Sequence, residues 1–152
     1  MTSIVGQYDC KADTKGRINL PTSLKNKLIP YVKDEFVIKR SVFKSCLELH
    51  PKVKFDEVMQ KVMKRGGRGK QFELFLMKFT AGLKEVPVDE ETGRLQIPKN
   101  LVEYAGIGKE VVLNASHDKI EIWDKKKYEA TLESMSDEDY EAIAENIFDV
   151  DE

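Results

Sequence analysis

Apolar positions along this chain of 152 residues fall into short alternating runs broken by turn residues, with two stretches at helical spacing between them. Gln7 to Ala12 predicts a strand. In Asp13-Thr14-Lys15-Gly16 an aspartate able to hydrogen-bond its own backbone precedes a glycine that supplies positive φ, so a tight turn follows. Arg17 to Leu20 alternates again and predicts the return strand. Pro21 lacks the amide donor a ladder needs, and Thr22 is placed to cap a helix carrying Leu24 and Leu28. Phe36 to Lys39 and Cys46 to Leu49 predict a hairpin around residues 40–45. His50-Pro51 stops it, with Pro51 suited to the first turn of a helix.

The pattern then returns. Asp13-Thr14-Lys15-Gly16-Arg17-Ile18-Asn19-Leu20-Pro21 is answered by Glu90-Glu91-Thr92-Gly93-Arg94-Leu95-Gln96-Ile97-Pro98 at an offset of 77 residues. Glu35 to Ile38 is answered by Glu110 to Leu113, Leu47 to His50 by Ile120 to Trp123, and Phe55 by Tyr128. The second copy predicts strands over Val86 to Asp89 and Arg94 to Ile97, then a helix over Lys99 to Tyr104 with Gly106 at its C-cap. A hairpin from Val111 to Trp123 follows, and Asp124 is placed to cap the next helix. Neither copy is large enough to bury an apolar face alone, so the two must pack on each other or on copies in other subunits. Four segments result: a first repeat over 1–55, a helical connector over 56–83, a second repeat over 84–128 and a C-terminal tail over 129–152.

In the connector, Phe55, Val58, Met59, Val62 and Met63 recur at helical spacing, and Phe72, Phe75, Leu76 and Phe79 repeat the pattern. The joint between them, Lys64-Arg65-Gly66-Gly67-Arg68-Gly69-Lys70, reads either as a flexible helix connection or as an auxiliary phosphate contact. It is not a P-loop, since Gln71 stands where a magnesium-binding Ser or Thr is needed. In the tail, Ser136 is placed to cap a helix whose Tyr140, Ile143, Ala144, Ile147 and Phe148 form one apolar stripe. That stripe predicts docking onto the body or onto a neighbour.

A net charge of −2 conceals a polarised chain. Residues 1–80 hold 17 Lys and Arg against 8 Asp and Glu, residues 81–152 hold 8 against 19, and residues 129–152 carry ten acids and no base. Such a division points to a basic face for a polyanion and an acidic segment kept away from it. There is no apolar run of membrane-spanning length and no signal peptide, so a cytoplasmic protein without a membrane partner is expected. Cys10 and Cys46 lack the spacing of a zinc or redox motif and read as reduced structural thiols.

Enzymatic chemistry finds little support. Ser116-His117-Asp118 names three triad residues, but consecutive turn residues cannot form the spatial relay a triad requires. His50 and His117 lack partners at ligand spacing, so no metal and no cofactor are expected. A carboxylate dyad of Asp13 and Glu90 across the repeat axis is the least implausible enzyme. Lys15, Arg17 and Arg94 oppose it by holding both acids ionised, where a dyad must share a proton.

The doubled turn, with Asp13, Arg17, Leu20 and Pro21 in one copy and Arg94 and Pro98 in the other, together with Lys109-Glu110-Val111 leading to Lys119-Ile120-Glu121-Ile122-Trp123-Asp124, resembles the MraZ family over essentially the whole chain. The resemblance implies an α+β fold, a duplicated AbrB-like swapped-hairpin β-barrel with short helices and a pseudo-twofold within the chain. It also implies a bacterial, nucleoid-associated transcriptional regulator, forming homo-oligomeric rings larger than a dimer. Its partner would be double-stranded DNA carrying short direct repeats upstream of division and cell-wall genes. One departure stands out: Glu90 fills the acidic register of the second copy, and Asp89 lies one residue early.

The residues expected to meet DNA are Lys15 and Arg17, with Lys11 on phosphate and Arg40, Lys44, Arg65 and Arg68 as weaker contacts. Arg94 reads either as a contact or as a local ion-pair partner, because Asp89, Glu90 and Glu91 beside it oppose a phosphate. Asp13, Gly16, Glu90 and Gly93 are expected to shape the turns. The rival reading is an assembly scaffold that binds no DNA.

Overall fold

The computed structural model describes residues 4–32, 35–116 and 119–149. The first half runs β1 (Gly6–Lys11), β2 (Arg17–Asn19), α1 (Thr22–Lys27), α2 (Ile29–Val32), β3 (Phe36–Arg40), β4 (Leu47–Pro51), α3 (Lys52–Gly66) and α4 (Lys70–Phe79). The second runs β5 (Lys84–Val86), β6 (Arg94–Gln96), α5 (Lys99–Ala105), β7 (Glu110–Ser116), β8 (Lys119–Asp124), α6 (Lys125–Glu133) and α7 (Asp137–Phe148). The short helix α2 was not legible in the periodicity.

A six-stranded antiparallel sheet has the order β1-β7-β8-β4-β3-β5, and β2 pairs with β6 in a separate ribbon. The order is the same from either end once first-repeat strands are exchanged for their second-repeat counterparts. Each repeat therefore gives its opening strand to the other: β1 lies on β7 with Cys10 opposite Val111, and β5 lies on β3 with Val86 opposite Phe36. Single bridges between Ala12 and Ile18 and between Val88 and Leu95 join the ribbon to the two outer strands of the sheet and close the circuit. This is the duplicated, swapped-hairpin architecture. The pseudo-twofold axis passes through two facing pairs of equivalent residues, Ile18 with Leu95 in the ribbon and Glu48 with Glu121 between β4 and β8.

Period-two alternation sends one face of the strands inward. Ile18, Leu47, Leu49, Leu95, Leu113, Ile120 and Ile122 meet Leu24, Leu28 and Leu101 from the helices in one buried cluster. Leu24 and Leu101 occupy equivalent positions and are fully buried, so truncating either to alanine costs about 2–5 kcal/mol.

The helix starts differ from expectation. Thr22 is the first helical residue and not the cap. The extended Pro21 holds the cap position with no side-chain bond, as Pro98 and Pro51 do for α5 and α3. Asp124 holds the cap position of α6 but makes no side-chain capping bond; its Oδ1 accepts from the Gly108 amide at 3.0 Å and so ties β8 to the loop before β7. Ser136 does cap α7, accepting from the Asp139 amide, and Gly106 closes α5 in the left-handed conformation. The apolar stripe of α7 does not dock on its own chain: Tyr140, Ile143, Ile147 and Phe148 are all exposed. His117 and Asp118 of the consecutive Ser-His-Asp run lie outside the described residues, as does the tail beyond residue 149.

Candidate nucleic-acid interface

The two tight turns meet at the β2–β6 ribbon. In the first, the Asp13 amide donates to the Arg17 carbonyl, the Gly16 amide donates to the Asp13 carbonyl, and Asp13 Oδ1 accepts from the amides of Lys15 and Arg17 at 2.9 Å. Asp13 Oδ2 lies 2.6 Å from Arg17 Nε. Amide donation from Arg17, then its guanidinium and the Lys15 amide, hold the Asp13 carboxyl below its ordinary range. Aspartate thus serves as the structural member, and it holds the guanidinium through Nε, which leaves the two terminal nitrogens outside the ion pair.

The second turn corrects the expectation for its acid. Asp89, and not Glu90, takes the place of Asp13: the Asp89 amide donates to the Arg94 carbonyl, and its Oδ1 accepts from the Glu91 and Thr92 amides. Thr92 and Glu91 thereby hold the Asp89 carboxyl below its ordinary range. The repeats run at an offset of 76 up to this aspartate and 77 from Arg17 and Arg94 to Pro21 and Pro98, so the second turn holds one extra residue. A constant offset of 77 puts Glu90 in the acidic register. The extra residue moves Arg94 one position from the acid: both aspartates accept from amides of their own turn, and Asp13 in addition holds its arginine.

Each turn is stapled to the other repeat. The Ile97 amide donates to the Gly16 carbonyl and the Leu20 amide to the Gly93 carbonyl. Gln96 Nε2 reaches the Lys15 carbonyl at 2.7 Å, and Lys25 Nζ reaches the Glu91 carbonyl at the same distance. Both glycines need their residue type: Gly16 has φ of 79° with Val102 and the Ile97 carbonyl 3.0 and 3.2 Å from where a Cβ would stand, and Gly93 has φ of 73° with the Leu20 carbonyl at 3.0 Å.

Antiparallel pairing sets Arg17 opposite Gln96 and Asn19 opposite Arg94, with Ile18 and Leu95 buried between them. The outward face of the ribbon therefore carries two arginines and two amides around the pseudo-twofold. Beside it an open cleft of about 490 Å³ is lined by Lys11, Ala12, Asp13, Arg17, Asn19, Arg94 and Lys109. Five of these side chains are cationic or amide, against a single carboxylate already engaged by Arg17. Such a surface can neutralise phosphates and present an arginine fork to a base edge.

Of the residues expected to meet DNA, Lys11, Arg17 and Arg94 come together here, and Lys15 stands exposed on the adjoining turn. The others lie elsewhere. Arg40 stacks its guanidinium 4.3 Å from the Tyr104 ring centroid, with Nε buried, so packing holds it. Lys44 pairs with the buried Glu121 at 2.8 Å, which raises the lysine above its ordinary range and uses its charge internally. Arg65 and Arg68 line a groove between α3 and α4. Asn19, Gln96 and Lys109 were not singled out from sequence. Alternation through Ile18 and Leu95 would have found the first two, whereas Lys109 reaches the cleft only through the exchange of β1 onto β7.

The outer face of the sheet carries a polar cluster on the same axis. Glu48 accepts from His50 Nε2 at 3.0 Å and lies 3.4 Å from Lys119, while Glu121 accepts from Lys44, Asn114 and Trp123. Burial alone would raise the Glu48 carboxyl, but His50, Lys119 and Lys39 together bring it down to about 2. Burial pushes the Cys10 and Cys46 thiols up to about 11 and about 12, away from reactive thiolate chemistry. The carboxylate dyad loses its first member, since Asp13 is held ionised by three donors. Among the described residues no group of three or more His, Cys, Asp and Glu could hold a metal, and no helix is long and apolar enough to cross a membrane.

Comparison with known proteins agrees with the duplication. A family model described as "MraZ protein, putative antitoxin-like" matches twice, over residues 4–74 and 79–151. The chain is 46% identical over 152 residues to a protein of Christiangramia forsetii named transcriptional regulator MraZ, covering all of this chain and 97% of that one. Proteins of the same name from Flavobacterium psychrophilum and Cytophaga hutchinsonii are 43% and 32% identical, over 97% and 88% of this chain and 92% and 87% of their own lengths. With both repeats matched and full-length relatives at this identity, the chain belongs to the MraZ family.

Proposed function

We propose that this protein is a sequence-specific DNA-binding transcriptional regulator that recognises short direct repeats upstream of division and cell-wall genes, its own gene among them. The observation that carries this reading is the convergence of Lys11, Arg17, Asn19, Arg94 and Lys109 on one cleft beside the β2–β6 ribbon. Arg17 supplies the base contact, because Asp13 fixes its Nε and orients the terminal nitrogens as a fork that matches guanine. Lys11, Lys15 and Lys109 bind phosphate and supply most of the affinity. Arg94 supports from the second turn.

One ribbon of three-residue strands offers few contacts. A homo-oligomer larger than a dimer, closed as a ring, raises the effective concentration of each ribbon for the next repeat along the DNA. On this reading the protein works in the cytoplasm at the nucleoid. The test is a fluorescence-anisotropy titration on repeat-containing upstream DNA against a scrambled duplex at two salt concentrations. Preferential binding to the repeats with a steep salt slope supports the reading. Equal binding to both duplexes refutes sequence recognition, and absent binding to both refutes the reading in favour of an assembly scaffold.

A further inference from the structure

Helix α7 presents Tyr140, Ile143 and Ile147 at spacings of three and four residues, all exposed, with Phe148 beside them. Asp139 and Glu141 flank this stripe, and Asp137 and Glu138 add charge in the first turn. An amphipathic acidic helix with its apolar face in water is an unfilled contact.

The counterpart surface lies in the other repeat. Between α3 and α4 runs an open groove of about 840 Å³ whose apolar floor is Val62, Phe72 and Phe75, with Phe43 at the β3–β4 tip standing 92% exposed at its rim. The charged residues lining it are Lys61, Arg65 and Arg68, with no acid among the lining residues. Phe79 of α4 stacks on Phe55 of α3 at 6.4 Å and on Phe75 at 5.4 Å, which joins the two helices at the end away from the glycine joint. At 1.5 Å per residue α4 is about 15 Å long and α7 about 18 Å, so the lengths match.

We infer that α7 of one copy docks into the α3–α4 groove of a second copy of this chain, its stripe on Val62, Phe72 and Phe75 and its acids against Lys61, Arg65 and Arg68. The pseudo-twofold favours a second copy over the same chain. Helix α3 packs on β3 and β4, whereas α6, from which α7 is projected, packs on β7 and β8 in the other half of the sheet. Donor helix and acceptor groove thus sit on different halves, and contact between copies is head-to-tail. Repetition of a heterologous contact of this kind closes rings when the rotation permits. The groove arginines are then protein contacts, apart from the ribbon cleft, and the inference does not depend on DNA binding.

Charge reversal tests it with the full chain. A groove variant (Arg65→Glu, Arg68→Glu) and a helix variant (Asp139→Lys, Glu141→Lys) are each measured by light scattering at micromolar concentration, with circular dichroism to establish unchanged helix content. Each variant alone is expected to fall at least twofold in mass from the wild-type assembly. Mixed at equal amounts they are expected to regain it, because every reversed helix then has a reversed groove and every native helix a native groove. Tyr140→Ala with Ile143→Ala, which leaves all charges in place, is expected to lower the mass as well. Wild-type mass in the single variants, or recovery only when both reversals share one chain, overturns the proposal.

Discussion

Replacing Arg17 with alanine separates a sequence-reading arginine from a merely cationic one. Its guanidinium is held at 2.6 Å by an exposed carboxylate, whereas the turn itself is held by amide bonds to Asp13 that the substitution leaves in place. The fold is therefore expected to survive, with thermal unfolding close to wild type. A bidentate contact to a base pair discriminates by about 1–3 kcal/mol, so specific binding falls by about 30-fold per ribbon at the middle of that range. Arg94 follows an acid engaged with backbone amides and has Asp89, Glu90 and Glu91 around it. Arg94→Ala is expected to cost about 3-fold or less, in the range of exposed charge contacts. Arg17→Lys retains the charge and loses the fork, so it keeps affinity for scrambled DNA and loses the preference for the repeats. Anisotropy titrations of the three variants on both duplexes, repeated across salt, read all of this at once. If Arg17→Ala instead weakens both duplexes equally and lowers the salt slope by about one, Arg17 contacts phosphate and the assignment of base reading to it is refuted. Equal losses for Arg17→Ala and Arg94→Ala refute the ranking of the two turns.

Light scattering on the wild-type chain at micromolar concentration is expected to give a mass above a dimer, and a monomer mass refutes the ring. Glu48, drawn from an ordinary 4.5 to about 2 on folding, contributes about 3 kcal/mol. Because the folded value is depressed, that contribution is present above pH about 4.5 and is lost as pH falls toward about 2, so Glu48→Gln should flatten urea-unfolding stability across that window, and an unchanged slope refutes the network. Gly16→Ala places a Cβ 3.0 Å from Val102 at a φ of 79° and should cost about 2 kcal/mol, lowering Tm by about 4–8 °C in a scanning melt; an unchanged Tm shows that the turn relaxes.

The elements set by local chemistry were legible in the sequence. Asp13 with Gly16, Pro21 with Leu24 and Gly106 after α5 each act within a few residues, and strand, turn and helix followed from them. Non-local pairing was not legible in this way. Whether β1 returns to its own hairpin or crosses to β7 depends on which repeat buries the better face, and the alternation of β1 is the same in either case. Lys109 was missed for that reason, since it joins the cleft only because Lys11 comes to lie against Glu110. Arg40 and Lys44 were singled out because charge alone does not show direction. Tyr104 and Glu121, which hold them, arrive from the second repeat. Glu90 was assigned by a uniform offset, and only the ladder bond from Asp89 to the Arg94 carbonyl reveals the inserted residue.

That one residue bears on what the ribbon can recognise. The backbone around Ile18 and Leu95 is close to twofold, and a chemically twofold surface would favour a palindromic site within each protomer. The chemistry on it is not twofold. Both aspartates accept from amides of their own turn, but the first also clamps its arginine through Nε and is joined by Lys15, whereas the second is joined by Glu90 and Glu91. A ligand meeting this face therefore meets a strong and a weak half, and has a polarity. On the proposed reading, each protomer reads one short asymmetric element. Copies related head-to-tail, as a helix-in-groove contact would relate them, present these elements in the same direction along the assembly. Direct repeats match that arrangement, and inverted repeats do not. Reversing alternate repeats in the upstream DNA at constant composition should thus reduce binding as much as deleting them, whereas equal binding to direct and inverted arrays would show that the two turns contribute alike.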